Sequence, residues 1–385
     1  MVIPEINLSN LTTLDVLKDL VAFRSLTPDD AGSLDYIARI VTLLGGNSIR
    51  VDRNETSNLI ATIGTGEKIF AFAGHVDVVP TGECSLWQSD DPFELYQDGD
   101  KLIGRGVADM KGGIAAFLVA MIRYVSNHDT SKYKIMLVIT SDEEGSALDG
   151  TCVMVDYFKQ HSIMLDYCLV GEPSCTNFLG DTIKVGRRGS LTGNLTINGK
   201  QGHIAYPHLC QNPIHDFASA LADLSSKVWD SGNEYFPATS LQFANINSGL
   251  GVTNVIPGFL IANFNFRYNT EHTADALQNE VIKILDSYKL DYSVSWSHSA
   301  KPFMTKDGDF MQIAESAIRQ VTGLTVAKKT DGGTSDGRFL IDVSHQIIEL
   351  GLLNGTIHQI NEFTTISDIN NLTEIYFSIL NDVFN

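Results

Sequence analysis

The feature that most constrains this fold is the alternation of short, almost uncharged apolar runs with helical segments in the first half of the chain. Strand-like runs occupy residues 58–64, 69–77 and 133–140, and a fourth begins at Tyr167. Apolar residues at helical spacing mark residues 13–24, 34–45, 112–124 and 149–160. Because strands without charged residues are typical of sheets covered on both faces, this pattern predicts an α/β domain.

A different pattern occupies residues 189–302. Its segments alternate as strand, helix, strand, strand, helix and strand, which is the ferredoxin-like order βαββαβ. They lie at residues 190–199, 212–229, 240–249, 259–268, 273–288 and 291–298. After Pro302 the α/β pattern returns, with a helix at 309–322 and a last helix after Ile366. We therefore predict an inserted domain, 189–302, within a first domain formed by residues 1–188 and 303–385.

Composition narrows the partners and the compartment. The 385 residues include 46 acidic and 27 basic side chains, a net charge of −19, which argues against nucleic acid and anionic membranes as partners. The N-terminus lacks the basic and apolar regions of a signal peptide, and no apolar run approaches the roughly 20 residues that cross a bilayer. An odd number of cysteines without C-x-x-C spacing predicts reduced thiols in a cytoplasmic protein. They are Cys84, Cys152, Cys168, Cys175 and Cys210.

Acidic and histidine side chains follow several of the apolar runs. The run before "TSDEEG" ends in three consecutive acids, and two ionised carboxylates about 4 Å apart repel by about 4 kcal/mol at an intermediate dielectric. Ligands of open α/β sheets bind outside the carboxyl ends of the strands, so side chains at these ends can converge on one crevice. The candidates are His75, Asp77, Asp109, Glu143, Glu144, Glu172 and His358.

Each of these side chains, taken alone, has an ordinary explanation as a packed histidine or a solvated acid. Taken together, the set favours a pair of divalent cations, which turn the mutual repulsion into attraction. Nitrogen and oxygen ligands without thiolates suit Zn²⁺, with Co²⁺ or Mn²⁺ as substitutes, at positions about 3.5–4 Å apart. Nucleotide sites are not indicated, since "GRGVADMKG" lacks the third glycine of the dinucleotide fingerprint and "GTGEK" lacks P-loop spacing.

Several segments resemble the co-catalytic di-zinc amidohydrolases of the aminoacylase and carboxypeptidase group. "GHVDVVPTG" and "DGDKLIGRGVADMKGG" are similar to the wider group, with Val76 in place of the threonine that is common there. "DEEGSALDGT", "GRRGS" and "GGTSDGRF" resemble more specifically the succinyl-diaminopimelate desuccinylases within it. The resemblance implies a zinc-peptidase-like α/β catalytic domain with an inserted ferredoxin-like dimerisation domain, and hence a homodimer.

The resemblance also implies a metal centre. Two zinc ions per subunit would be held by His75, Asp109, Glu144, Glu172 and His358. Asp109 would bridge the two ions, with His75 and Glu172 completing one metal and Glu144 and His358 the other. A cis peptide bond would follow Asp109.

Further roles follow from the same resemblance. Asp77 would orient His75 through its ring N–H, Glu143 would be the general base, and His203 of the partner subunit would stabilise the oxyanion. We expect Glu143 and Glu144 to alternate across the strand end, so that Glu144 binds metal and Glu143 moves a proton. We expect Asp142 to be structural and Asp149 to cap the next helix.

The substrate implied by the resemblance is N-succinyl-LL-2,6-diaminopimelate, whose three carboxylates suit bidentate arginines. Arg187 and Arg267 are the matched candidates, with Arg188 as an alternative to its neighbour. The pocket would be completed by Ser190, Tyr206, Asn254, Gly333, Thr334 and Asn354. Two other interpretations stay open. One is a related deacylase, such as acetylornithine deacetylase, an aminoacylase or a dipeptidase, and the other is an inactive binding or scaffold protein on this fold.

Overall fold

The structure, a computed structural model, describes residue 4 and residues 6–384. The helices are α1 (Thr13–Ala22), α2 (Ser33–Leu43), α3 (Lys111–Val125), α4 (Thr151–Gln160), α5 (Pro213–Ser226), α6 (Ala274–Ser287), α7 (Asp309–Thr322), α8 (Gly337–Leu340) and α9 (Ile366–Phe384). The strands are β1 (Asn47–Arg50), β2 (Asn58–Ile63), β3 (Ile69–His75), β4 (Tyr96–Asp98), β5 (Lys101–Ile103), β6 (Lys134–Thr140), β7 (Leu165–Val170), β8 (Thr182–Lys184), β9 (Gly186–Arg187), β10 (Gly189–Asn198), β11 (Gly202–His203), β12 (Ser240–Ser248), β13 (Val255–Ile256), β14 (Phe259–Tyr268), β15 (Tyr292–Ala300), β16 (Phe303–Met304), β17 (Ala327–Lys329), β18 (Ser344–Glu349) and β19 (Phe363–Thr365).

The chain forms two compact units. Unit one comprises Met1–Val185, Thr305–Lys329 and Ser335–Asn385. Unit two comprises Gly186–Met304 and Thr330–Thr334. None of the helices within residues 6–384 combines the length and the apolar composition needed to cross a membrane.

Unit one is built on an eight-stranded sheet in the order β1-β2-β6-β3-β7-β18-β8-β17. Strand β3 runs parallel to β6 and β7, and β7 runs parallel to β18, whereas β2 pairs with β1 and β6 in antiparallel fashion. Nearly every residue of β3 and β6 is buried. Because alternate side chains of a strand point to opposite faces, both faces of the sheet are covered. The predicted α/β architecture is confirmed.

Helix α3 packs against both α1 and α9 in unit one. Residues 111–122 are buried without a break, as expected for a helix that is apolar on all sides. The ring of Phe117 stacks on Phe72 of β3 with centroids 4.2 Å apart, which fixes the helix against the sheet. The residues just before α3 are therefore attached to a rigid element.

Unit two contains an antiparallel sheet in the order β12-β14-β10-β15. Along the chain the strands of this sheet and the two helices follow β10-α5-β12-β14-α6-β15, the βαββαβ order predicted from the sequence, while β11 and β13 pair in a separate two-stranded sheet. Apolar residues of α5 and α6 share one core with the strands. Strand β14 alternates buried and partly exposed side chains, as its sequence pattern predicts. The outer strand β12 is exposed over most of its length.

Two features differ from the sequence predictions. Strands of two or three residues, such as β4, β5 and β19, were not predicted, because so short a segment shows no period. The expected helix cap at Asp149 is wrong. The N-cap of α4 is Gly150, and the Asp149 carboxylate instead accepts hydrogen bonds from the side chains of Arg53 and Asn54. A guanidinium group is a stronger partner for a carboxylate than a backbone N–H.

Candidate metal centre

Three adjacent strands of unit one bring candidate ligands to one edge of the sheet. Strand β3 ends at His75, Glu172 lies two residues beyond the end of β7, and Glu144 lies four residues beyond the end of β6. Because β6, β3 and β7 are parallel neighbours, their carboxyl ends meet at this edge. These three side chains therefore lie where the sequence pattern predicts them.

The other two candidate ligands come from loops. Asp109 precedes the N-cap of α3, and the Asp109–Met110 peptide bond is cis, as the resemblance implied. His358 lies in the connection between β18 and β19, with a φ of 63° in the left-handed region. The expectation that every ligand follows a strand is therefore wrong for Asp109 and His358, since connecting loops carry them to the same edge.

Asp109 faces two histidines with different oxygens. Its Oδ1 lies 3.3 Å from His75 Nε2, and its Oδ2 lies 3.3 Å from His358 Nε2. Glu172 Oε1 lies 3.6 Å from His75 Nε2, and Glu144 Oε1 lies 2.8 Å from His358 Nε2. In the triads His75–Asp109–Glu172 and His358–Asp109–Glu144, the ligand atoms lie within 4.8 Å of one another. The two triads are candidate cation positions, and the Asp109 carboxylate belongs to both.

The residues fit a pair of divalent cations. His75 Nε2 and Asp109 Oδ1 are buried without a hydrogen-bond partner, although buried polar atoms are almost always satisfied. A cation between them would give both atoms a partner. The donor set of imidazole nitrogens and carboxylate oxygens, without thiolates, is one that Zn²⁺ accepts.

The electrostatics of the site favour added positive charge. Burial lowers the pKa of His75, but the carboxylates of Asp109 and Glu172 raise it well above its ordinary value. The carboxylates of Asp109 and Glu144 raise the pKa of His358 to about 10. Burial, together with the Asp109 carboxylate, raises the pKa of Glu172 well above its usual range. The cluster therefore holds protons strongly when no cation neutralises its carboxylates.

Asp77 connects two of the ligand-bearing segments. Its carboxylate accepts hydrogen bonds from the backbone N–H groups of Glu143 and Glu144, at 3.3 and 3.1 Å. The ring Nδ1 of His75 lies 2.8 Å from the backbone carbonyl oxygen of Asp77 and 3.6 Å from its carboxylate. The main chain of Asp77, not its side chain, thus accepts the His75 N–H, because the carboxylate is engaged by the loop. With its proton on Nδ1, the neutral His75 ring presents Nε2 as a ligand.

Glu143 lies beside the ligands without belonging to either triad. It forms a third group with His75 and Glu144, whose ligand atoms also lie within 4.8 Å of one another. Burial raises the pKa of Glu143 to about 8. Both glutamates belong to the loop after β6, so the predicted strand alternation is wrong. The two hydrogen bonds to Asp77 hold this loop instead. Asp142 is buried, and its Oδ2 accepts the Asp149 backbone N–H at 3.2 Å, in keeping with a structural role.

Unit two carries the candidate oxyanion donor, His203, at the end of β11. Its Nδ1 accepts the backbone N–H of Ala205 at 3.1 Å, so the neutral ring carries its proton on Nε2. Tyr206 donates its backbone N–H to the His203 carbonyl oxygen, and the Asn254 carbonyl oxygen accepts from Ile204. His203, Tyr206 and Asn254 therefore form one exposed group with an available N–H donor.

The other predicted substrate contacts of unit two lie near the start of β10. Ser190 pairs directly with Arg267 of β14. Arg187 is buried, and its Nη1 donates to carbonyl oxygens at positions 331 and 333, in the segment that contains Gly333 and Thr334. Arg188 is half-buried and donates to the carbonyl oxygen at position 332. Asn354 belongs to unit one, where its backbone N–H donates to the carbonyl oxygen at position 175.

Sequence reasoning missed two buried acids. Glu362 accepts the backbone N–H of Asp109 at 3.1 Å. Asp336 accepts the Thr151 hydroxyl at 2.6 Å, and burial raises the pKa of Asp336 to about 6. Both acids lie in motif-like segments, "HQINE" and "GGTSDGRF". That location is the only sequence signal that could have identified them as candidate site residues. An acid in a loop shows no period that separates a buried side chain from a solvated one.

Comparison with known proteins agrees with this geometry. The family described as Peptidase family M20/M25/M40 matches residues 71–382. A protein of Nitrosomonas europaea named succinyl-diaminopimelate desuccinylase is 49% identical over 365 residues, which cover 95% of this chain and 97% of that protein.

Solved structures share the fold. An M20 family metallo-carboxypeptidase from Sulfolobus solfataricus has a TM-score of 0.80 at 16% identity, covering 97% of this chain and 99% of the other. A dinuclear metal-binding peptidase of the M20 family from Bacillus subtilis has a TM-score of 0.71 at 15% identity, covering 96% of each chain. The family match spans every candidate metal ligand, and the chain is a hydrolase that belongs to Peptidase family M20/M25/M40.

Proposed function

We propose that this chain hydrolyses N-succinyl-LL-2,6-diaminopimelate to succinate and LL-2,6-diaminopimelate, a step in the synthesis of lysine and of peptidoglycan precursors. The observation that carries the proposal is 49% identity to a desuccinylase over nearly the full length of both chains. The two ligand triads agree with it, because hydrolysis of an amide at neutral pH needs an activated water and a polarised carbonyl.

The metal centre we propose holds two zinc ions per subunit, with Co²⁺ or Mn²⁺ as substitutes. His75, Asp109 and Glu172 would hold one ion, and Asp109, Glu144 and His358 the other. When bound, such a pair lowers the pKa of a water molecule and polarises the scissile carbonyl. The Asp77 main chain supports the assignment, because it keeps the His75 proton on Nδ1 and leaves Nε2 as the ligand atom.

Proton transfer is assigned to Glu143. Its carboxylate would take a proton from the attacking water and return it to the nitrogen of the leaving amine. The position of Glu143 supports this role, since it lies next to Glu144 in sequence and beside His75, yet completes neither triad. His203 would donate its Nε2–H to the oxyanion that develops on the scissile carbonyl.

The substrate carboxylates are assigned to arginines of unit two. Arg187 and Arg267 would bind them, with Ser190, Tyr206, Asn254, Gly333, Thr334 and Asn354 completing the pocket. Pairing of Ser190 with Arg267 supports the assignment, because it places a hydroxyl donor beside a guanidinium group. Backbone carbonyl oxygens hold Arg187, which limits the rotamer entropy lost on binding.

We also propose that the protein is a cytoplasmic homodimer formed through unit two, with His203 serving the site of the partner subunit. Strand β12 supports this arrangement, because it is the outer strand of its sheet and is exposed over most of its length. An open strand edge offers unpaired N–H and C=O groups to a second copy. The unpaired cysteines agree with a reducing compartment.

Turnover of two substrates, measured together with metal content, tests the function. We expect N-succinyl-LL-2,6-diaminopimelate to be cleaved with a much higher kcat/KM than N-acetylornithine, by protein that carries two metal ions per subunit. Faster cleavage of N-acetylornithine would assign the chain to the related deacylases of the family. An inactive scaffold would cleave neither substrate even when fully loaded with metal.

A further inference from the structure

A buried ion pair that is not part of the proposed metal centre lies directly behind it. Glu362 and Arg105 are each only 1% exposed, and Glu362 Oε2 accepts a hydrogen bond from Arg105 Nη1 at 2.7 Å. The same carboxylate accepts three backbone N–H groups of one loop. Oε1 accepts from Ala108 at 2.9 Å and Asp109 at 3.1 Å, and Oε2 accepts from Gly106 at 3.1 Å. Each oxygen of Glu362 therefore receives two donors.

Arg105 extends this contact to the main chain of two other segments, one around His358 and one at Pro80. Its Nη1 also donates to the carbonyl oxygen of Gln359 at 3.2 Å, and its Nη2 donates to those of Pro80 at 3.2 Å and His358 at 3.4 Å. The guanidinium group thus binds the main chain of the His358 loop, where His358 adopts a left-handed φ of 63°. Non-glycine residues hold that conformation only when their surroundings determine it.

The cost of burying such a pair indicates a specific role. Removing two charges from water is unfavourable, and a well-packed apolar pair often stabilises a fold as well as a buried ion pair does. Two features offset this unfavourable free energy: the carboxylate has a complete set of hydrogen bonds, and these hydrogen bonds connect two loops. Each of these loops carries a candidate ligand of the same cation position, Asp109 in one and His358 in the other.

We propose that Arg105 and Glu362 are positioning residues, which fix the positions of the Asp109 and His358 loops relative to each other. They thereby determine the affinity of the cation position formed by Asp109, Glu144 and His358. This inference rests on the proposed metal centre. The other position shares Asp109 but depends less on the pair, because its two remaining candidate ligands are placed by strands: His75 ends β3 and Glu172 follows β7. Among the contacts of the described residues, none joins Arg105 or Glu362 to the side chain of His75 or Glu172.

The substitution Glu362→Gln tests the role with little change in shape. An amide NH₂ would replace one of the two oxygens, and either oxygen now faces two N–H donors, so both amide orientations place donors against donors. Arg105→Lys is the second variant, because it keeps the charge while a single ammonium group cannot reproduce the fork. Glu362→Asp serves as the conservative rescue, since it keeps both oxygens on a shorter stem.

The experiment is a Co²⁺ titration of the full-length, chelator-treated protein, followed by calorimetry and by the visible absorption of the bound ion. In both Glu362→Gln and Arg105→Lys we expect one of the two Co²⁺ ions to bind about tenfold or more weakly, with an altered absorption spectrum. Binding of the other ion should change by less than threefold. Glu362→Asp should recover part of the lost affinity.

Two control variants separate positioning from general destabilisation. Val383→Ala removes two buried methyl groups from α9 in the same unit. Glu374→Gln removes the exposed ion pair between Arg123 and Glu374. Both controls should bind two Co²⁺ ions like the wild type. Equal weakening of both ions in the positioning variants, or no weakening, would overturn the inference. If the wild type itself failed to bind two ions, the proposed metal centre would be wrong instead. Should Glu362→Gln not fold, Arg105→Lys decides.

Discussion

His75 donates its ring N–H to the backbone carbonyl oxygen of Asp77, at 2.8 Å, while the Asp77 carboxylate, 3.6 Å from the same nitrogen, accepts the backbone N–H groups of Glu143 and Glu144. A single residue thus contacts one candidate ligand through its main chain and the loop of two candidate site glutamates through its side chain. The consequence is that a substitution of the Asp77 side chain should disturb the glutamate loop more than the His75 ring.

Asp77→Asn tests this division. The amide would place an NH₂ group against a backbone N–H of the loop, and an unsatisfied buried donor costs about 1–3 kcal/mol. We expect weaker binding of the ion proposed at Glu144, with a lower kcat, and little change for the ion proposed at His75 and Glu172. Co²⁺ titration measures both affinities. If only the ion at His75 were weakened, the Asp77 carboxylate would be acting on the imidazole ring.

Glu143→Gln and Glu144→Gln should separate proton transfer from metal binding. Glu143→Gln keeps the shape of the side chain but cannot accept a proton, so we expect kcat to fall by about 10²–10⁴-fold. Its metal content should stay at that of the wild type. Glu144→Gln should lower the affinity for one ion by at least about tenfold. Metal analysis after dialysis, together with initial rates, distinguishes the two. Loss of metal in Glu143→Gln would show that this residue is a ligand.

A hybrid dimer tests whether His203 acts on the partner subunit. Glu143→Ala and His203→Ala chains, each inactive alone, would form dimers in which one site combines two intact residues. An equal mixture should therefore recover about a quarter of wild-type activity, because about half of the dimers are hybrid and each hybrid has one working site. The readout is activity after mixed refolding or co-expression. If the mixture stays inactive although hybrids form, His203 acts within its own chain or has no catalytic role.

Arg187→Lys and Arg188→Lys compare the two adjacent arginines. Arg187 is buried and held by two carbonyl oxygens, which prepares its planar group for a carboxylate. We expect Arg187→Lys to raise KM at least about tenfold, since lysine lacks the bidentate fork. Arg188→Lys should change KM less than threefold. Steady-state kinetics with the succinylated substrate measure both, and the reverse ranking would assign the substrate contact to Arg188.

Asp336→Asn should change how stability depends on pH. Burial raises the pKa of Asp336 in the folded protein to about 6, above its ordinary 3.8. The folded state therefore binds this proton more tightly than the unfolded state, and the Asp336 contribution to stability falls as pH rises from about 4 to about 6. Above that range, Asp336→Asn should be the more stable protein, by about 1–3 kcal/mol.

Denaturant unfolding at pH 4 and pH 7 checks this prediction, on chelator-treated protein so that metal binding adds no pH dependence of its own. The amide oxygen of asparagine can still accept the Thr151 hydroxyl, so the local hydrogen bond is retained. The difference between variant and wild type should be near zero or reversed at pH 4. A difference that is the same at both pH values would mean that the Asp336 pKa is not raised.

The layout of the fold was accessible from the sequence alone. The helices α1, α3 and α9 and the strands β3, β6 and β14 follow from local sequence patterns, because burial of one face leaves a repeat and burial of a whole segment leaves a continuous apolar run. The types of candidate ligand residue could also be predicted from local sequence patterns. Apolar runs end at or just before His75, Glu144 and Glu172, and each of these residues belongs to a short, recognisable sequence motif.

Only the tertiary structure determined which of these side chains contact one another. His358 and Glu144 meet across a sequence separation of 214 residues. The Asp77 carboxylate reaches a loop 66 residues away. Glu362 accepts the backbone N–H of Asp109 across a sequence separation of 253 residues. A polar side chain in a loop has no period, and its direction depends on hydrogen-bond partners that are remote in sequence. The sequence alone therefore identified most of the acids around the site, whereas the packed chain determined which of them lie beside His75 and His358 and which, like Asp77 and Glu362, accept the backbone N–H groups of a loop.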